Sequence, residues 1–217
     1  MAMSLNGIIA RKNGDEDFLS HDNWNSFSEL AKSFQNFIIG RKTFEAVKKW
    51  NDGYNFDDFK DAKKVVVSSD QNYKLDKGYI LASNPKEALE ILKDKEFNKI
   101  LITGGSGLNS SFAKENLIDK VILNIESVII GEGIPLFFSN KFDLNLKLVD
   151  VKTLPNDIVQ LHYKVTKWFL MAMKITRATL RSHSASFRSG HLTRIKFNKI
   201  WILLMLEINV FISMSLI

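Results

Sequence analysis

Short apolar runs alternate with stretches of helical periodicity along residues 1–165, the pattern of an α/β domain built on a largely parallel sheet. Residues 37–40 (FIIG), 64–69, 79–82 and 100–103 read as short buried strands. Between them, residues 43–50 and 84–95 read as helices. The second is well marked: Asn84 can cap, Pro85 suits the first helical position, and Glu87 stands where a capping box wants a carboxylate. Ala88, Leu89, Ile91 and Leu92 form its buried stripe. Trp24, Phe27, Leu30, Ala31 and Phe34 fall at helical spacing and form the core face of a helix over residues 25–34. Residues 120–130, 146–154 and 158–165 are rich in β-branched side chains and carry no caps, so the domain is expected to finish on adjacent strands. Regular alternation stops at Val165.

Charge breaks at the same place. Residues 1–165 hold 22 basic and 23 acidic side chains, whereas residues 166–217 hold 8 and 1, so the formal net charge of +6 belongs to the last 52 residues. The basicity therefore predicts no nucleic-acid partner for the folded part. A 165-residue domain can bury one substantial core; a separate 52-residue appendage would be marginal. With no cysteine in the chain, disulfides, thiolate zinc sites and a cysteine nucleophile are excluded, as are deaminases that hold zinc through thiolates. No basic start followed by an apolar run marks a signal peptide, and a cytoplasmic location is the expectation. His21 and His162 lack metal-ligand spacing, so no metal is expected.

Two turns carry the candidate chemistry. Residues 100–108 (ILITGGSGL) run an apolar strand into a glycine-rich turn and a polar helix start, where outward-facing amides suit a phosphate. A tight strand-to-helix turn without a ligand explains those glycines as well. Gly40-Arg41-Lys42-Thr43 repeats the arrangement with two cations and a hydroxyl, and is equally readable as a solvated helix start. Ser68 and Ser69 end a third strand. Three such strand ends on one edge of a parallel sheet describe a dinucleotide crevice better than each does alone.

The segments MSLNGIIA (residues 3–10), IIGRKTFE (38–45), TGGSGL (103–108) and IESVIIGEGIPLF (125–137) occur in an order and spacing that resemble the dihydrofolate reductase superfamily. SLNGIIA and IIGEGIPLF look most like the branch containing the riboflavin-biosynthesis reductase domain and its stand-alone relatives. The resemblance covers about residues 2–165. It implies a mixed, mostly parallel sheet flanked by helices, NADPH as hydride donor, and a pterin or pyrimidine substrate. By the same resemblance, Gly40, Arg41, Lys42 and Thr43 bind cofactor phosphates, and Ser68 and Ser69 meet the adenosine 2′-phosphate. Gly104, Gly105, Ser106, Gly107 and Leu108 line the pyrophosphate, with a cis peptide between Gly104 and Gly105. Ile9 and Ala10 pack beside the nicotinamide, residues 11–20 form a mobile loop over it, and the helix of Trp24 and Phe27 borders the substrate.

Reduction of such a ring also needs a proton, supplied through one buried carboxylate. An ungapped alignment with dihydrofolate reductases puts Trp24 at that position. Asp22 is the candidate acid, readable also as a capping or surface residue, with Asp17 and Glu29 behind it. The expected activity is reduction of dihydrofolate to tetrahydrofolate. The alternatives are reduction of 5-amino-6-(5-phosphoribosylamino)uracil, or nucleotide binding without turnover. A homodimer is possible.

The chain departs from the family pattern at both ends. It starts about five residues too late by the resemblance, so the family's first, interior strand is expected to be missing, its place filled by another segment or left loose. Beyond residue 165 lies a tail ending in an apolar run, IWILLMLEINVFISMSLI (residues 200–217). A membrane anchor, an extra packed strand or helix, and translated sequence never selected to fold are its three readings, and composition favours the last. One sharper reading lets residues 200–206 fill the first-strand position.

Overall fold

The computed structural model describes residues 1–50 and 53–166. In chain order these form β1 (Ala2–Ser4), β2 (Ile8–Ala10), α1 (His21–Phe34), β3 (Asn36–Gly40), α2 (Arg41–Val47), a 3₁₀ turn (Phe56–Asp58), β4 (Lys63–Val67), β5 (Tyr79–Ala82), α3 (Pro85–Lys93), α4 (Ser106–Lys114), β6 (Lys120–Glu126), β7 (Ile134–Pro135), β8 (Leu146–Leu154) and β9 (Ile158–Val165). The mixed α/β architecture follows the sequence pattern. The tail readings, including residues 200–206 as a substitute strand, lie outside the described residues.

Strand β3 shows why the middle of the sheet is a continuous apolar run. Phe37 and Ile39 point into one core with Phe44, Val47, Phe56 and Val66, while Ile38 points into the other with Val65, Ala88, Leu92 and Phe112. Side chains alternate across a strand, so a strand covered on both faces has no polar position to spare. The β3-β4-β5 pairings are parallel, with Gly40 opposite Val67 and Val67 opposite Ala82, which aligns the carboxyl ends of all three.

A second sheet runs β1-β6-β9-β8, parallel between β1 and β6 and antiparallel thereafter. The first strand expected to be missing is present: β1 has three residues and pairs in parallel with β6, Ala2 opposite Asn124 and Ser4 opposite Glu126. Residues 100–103 form less than the strand expected of them. They make a single parallel bridge, Ile38 to Ile102, supported by Ile38 N–H donating to Leu101 (2.8 Å) and Thr103 N–H donating to Ile38 (2.9 Å). Without a second ladder among the described residues, they stay extended on the strength of β3 alone. Their other side faces a cavity.

Helix boundaries moved where tertiary contacts supply the cap. Helix α1 begins at His21, four residues before the expected start, because Glu126 on β6 accepts hydrogen bonds from Ser20 N–H (2.7 Å) and Asn23 Nδ2 (2.5 Å) at its amino end. A carboxylate there satisfies an orphan amide and complements the helix dipole. Helix α2 likewise begins at Arg41 rather than residue 43. In α3 the local signals suffice: Asn84 Oδ1 accepts from Lys86 N–H (3.0 Å) and Glu87 N–H (3.1 Å), and Glu87 in turn accepts from Ser83 N–H (2.8 Å). The Ser83 hydroxyl also donates to Glu87, and with the Ser83 N–H it holds that carboxyl below the ordinary carboxylate range.

Candidate active site

The two glycine-bearing turns meet at the carboxyl edge of the parallel strands. Gly40 N–H donates to Gly104 O at 2.9 Å, and Gly105 N–H donates to Thr43 Oγ1 at 2.9 Å. The peptide between Gly104 and Gly105 is cis, as the resemblance implies, and Gly104 has φ +96°. A Cβ on Gly105 would stand 2.9 Å from Thr43 Oγ1, so only glycine allows the two turns to approach this closely.

The donor set suits a pyrophosphate. Nine-residue α4 starts at Ser106 with Gly105 as a cap that makes no side-chain bond, leaving its first-turn amides without intrahelical partners. Gly107 is exposed, whereas the Ser106 hydroxyl is engaged with Pro135 O and Leu108 belongs to the core. Arg41 pairs with Glu45 at 2.8 Å and lies 5.5 Å above the Tyr73 ring; Lys42 is exposed and has no ion pair among the described residues. Ser68 is buried and accepts from Asp70 N–H at 3.0 Å, while Ser69 is exposed beside it. Lys42, Ser69 and the first-turn amides of α4 could hold an anionic group here. Ala10 is buried in β2 opposite Ile134, which leaves Ile9 as the member of that pair facing the site.

Next to the turns opens a cavity of about 540 Å³. Ile9, Thr43, Gly105, Trp24 and Phe27, all expected site residues, line it together. Trp24 anchors an aromatic wall, with ring centroids 4.9 Å from Tyr54, 5.3 Å from Phe27, 5.9 Å from Phe56 and 6.5 Å from Trp50. Such a wall accepts a planar ring by stacking. Tyr54 is held from outside by His21 Nδ1.

Asp22 is not brought to the cavity. It sits in the first turn of α1 and accepts from Asn156 Nδ2 at 2.7 Å, on the far side from the lining residues. Asp17 reaches the cavity rim but is paired with Arg11 at 2.5 Å, which holds its carboxyl below the ordinary range; Glu29 is exposed.

Of the three loop carboxyls lining the cavity, Asp15 is bonded to Asn13 and Asp17 to Arg11; Glu16, which the sequence reading passed over, has no such partner among the described residues. Burial pushes its pKa up to about 7. Trp50, Tyr54 and Phe56 were also missed, although the density of aromatic residues between 50 and 59 is a signal that could have found them. A third omission has no local signal. Glu126 accepts from Asn23, Asn23 Oδ1 accepts from Asn124 Nδ2 (2.9 Å), and Asn124 Oδ1 accepts from Gln160 Nε2 (2.9 Å), a buried polar chain closing the back of the cavity.

Among the described residues no helix is long and apolar enough to cross a membrane, and no group of histidine and acidic side chains could hold a metal. Residues 1–160 match the model of the family described as RibD C-terminal domain. Two Bacillus subtilis (strain 168) proteins are similar: YyaP is 29% identical over 174 residues, 75% of this chain and 91% of that protein. YwjB is 30% identical over 166 residues, 75% and 94% respectively. Among solved structures, Acinetobacter baumannii RibD (form 2) has a TM-score of 0.62 at 20% identity, covering 76% of this chain and 56% of that longer one. A pyrimidine reductase-like protein from Corynebacterium diphtheriae has a TM-score of 0.60 at 16% identity, covering 76% and 90%.

Proposed function

The chain belongs to the RibD C-terminal domain family, and on that premise we propose that it is an NADPH-dependent oxidoreductase that reduces a C=N bond of a pyrimidine-class substrate. The observation carrying this reading is the pair of hydrogen bonds, Gly40 to Gly104 and Gly105 to Thr43, that sets anion-binding turns at the mouth of an aromatic cavity. Phosphates held at the turns would leave the nicotinamide to enter past Ile9, where it could supply hydride to the C=N carbon of a substrate whose ring lies against Trp24. The chain's own part is to fix that approach and to keep water away from it.

Of the expected substrates, family membership favours the riboflavin-pathway pyrimidine over dihydrofolate, which none of the comparisons supports. The test mixes purified protein with NADPH and, in turn, 5-amino-6-(5-phosphoribosylamino)uracil, its dephosphorylated form and dihydrofolate, and follows loss of nicotinamide absorbance. Turnover with a pyrimidine is the expected result. Binding of NADPH with no turnover on any of the three would mark a nucleotide-binding protein instead.

A further inference from the structure

The groups around the cavity differ in charge from what a phosphorylated substrate needs. Among the described residues lining it there is no lysine, arginine or histidine side chain; the titratable groups are Asp15, Glu16 and Asp17 on the loop, Tyr54, and the Met1 amino group, which donates to Ile122 O at 2.9 Å and whose pKa burial lowers to about 6. The loop's cations are engaged elsewhere, Arg11 with Asp17 and Lys12 with Glu132. Asp15 is bonded to Asn13 at 2.6 Å. Glu126 lies behind the wall, spent on Ser20 and Asn23. Glu16 alone of the loop carboxyls has neither a hydrogen bond nor an ion pair among the described residues, and it shares the cavity with Trp24 and Thr43.

We propose that Glu16 is the catalytic acid and that the cavity selects a planar nitrogen heterocycle whose enclosed part carries no phosphate or other anionic group. This rests on the reductase reading above and narrows its substrate. Hydride adds to the carbon of the C=N bond, the π electron pair moves to nitrogen, and nitrogen takes the proton from the Glu16 carboxyl. NADPH is oxidised to NADP⁺, the imine becomes an amine, and the carboxylate regains its proton from solvent. A carboxyl that burial keeps protonated near neutral pH can serve as that donor. An anionic group brought beside it would raise its pKa further and be repelled once it ionised; among the described lining residues no lysine, arginine or histidine would offset this, and burial holds the Met1 amino group largely neutral above pH 6.

The test uses the full chain and three readouts. NADPH binding is measured by quenching of protein fluorescence for wild type and Glu16→Gln. Steady-state kinetics compare the ribosylaminouracil with its 5′-phosphate, and kcat is followed against pH. The expected results are equal NADPH affinity in the two proteins, kcat/KM at least about 10-fold higher for the phosphate-free substrate, and an approximately 100-fold loss of kcat in Glu16→Gln. Wild-type kcat should fall as pH rises past about 7, and that limb should vanish in the variant. A phosphorylated substrate turned over equally well or better, or a Glu16→Gln variant with undiminished kcat, overturns the proposal while leaving the reductase reading intact. Wild-type protein that does not bind NADPH overturns both.

Discussion

The Thr43 hydroxyl accepts a hydrogen bond from the Gly105 amide at 2.9 Å, joining the start of α2 to the turn before α4 across 62 residues of sequence. Replacing Thr43 with valine keeps the volume but leaves that half-buried amide without its acceptor. A loss of about 1–2 kcal/mol in stability is expected, with NADPH affinity falling roughly 10-fold as the turns separate. Urea titration and a fluorescence binding curve check the two parts.

The β2–β7 contact depends on a glycine in the same way. A Cβ at Gly133 would lie 2.4 Å from the backbone oxygen of Ala10, whereas one at Gly131 meets nothing within 4 Å. Gly133→Ala should therefore destabilise by about 1–3 kcal/mol by forcing β7 off β2. Gly131→Ala should stay within about 0.5 kcal/mol of wild type, and equal melting temperatures for the pair would contradict this account.

Asp22→Asn should leave kcat within about threefold of wild type. The Asp22 carboxylate is spent on Asn156 outside the cavity, and the amide can still accept that bond. A hundredfold loss in steady-state turnover would return Asp22 to the role expected from the sequence.

Glu126→Ala removes the acceptor of Ser20 N–H and Asn23 Nδ2 at the amino end of α1. Both donors lose a charged partner, so a loss of about 2 kcal/mol is expected. Limited proteolysis should then cut within residues 11–20 faster than in wild type, because the end of that loop is no longer tied to β6.

Glu16 ties stability to pH with a definite sign. Its folded-state pKa is raised from 4.5 to about 7, so between these values the folded protein holds more protons than the unfolded chain. Its contribution makes stability fall as pH rises from 4.5 to 7, by up to roughly 3 kcal/mol if the loop stays closed. Urea midpoints measured across that window should slope less in Glu16→Gln than in wild type. Parallel slopes would show that the carboxyl is not buried as described.

Sequence legibility followed the range of the interactions involved. The Asn84 cap, Pro85 and the Glu87 return bond are local, and α3 was readable down to those residues. The apolar run of β3 and the glycines at 40, 104 and 105 were readable because strand burial and tight turns demand those residue types. Residues 100–103 were overread as a full strand, since an apolar run records burial but not how many neighbours pair with it.

The sequence by itself therefore determined the α/β alternation and the two glycine-bearing turns at strand ends. Only the tertiary structure decided where α1 begins and which carboxyl enters the cavity. The physical reason is that both depend on distant partners: Glu126 bonds Ser20 at the start of α1 across 106 residues, and Asn156 holds the Asp22 carboxylate across 134. Glu16 lines the same cavity as the aromatic wall, and the burial that raises its pKa comes from side chains that no local pattern connects to it.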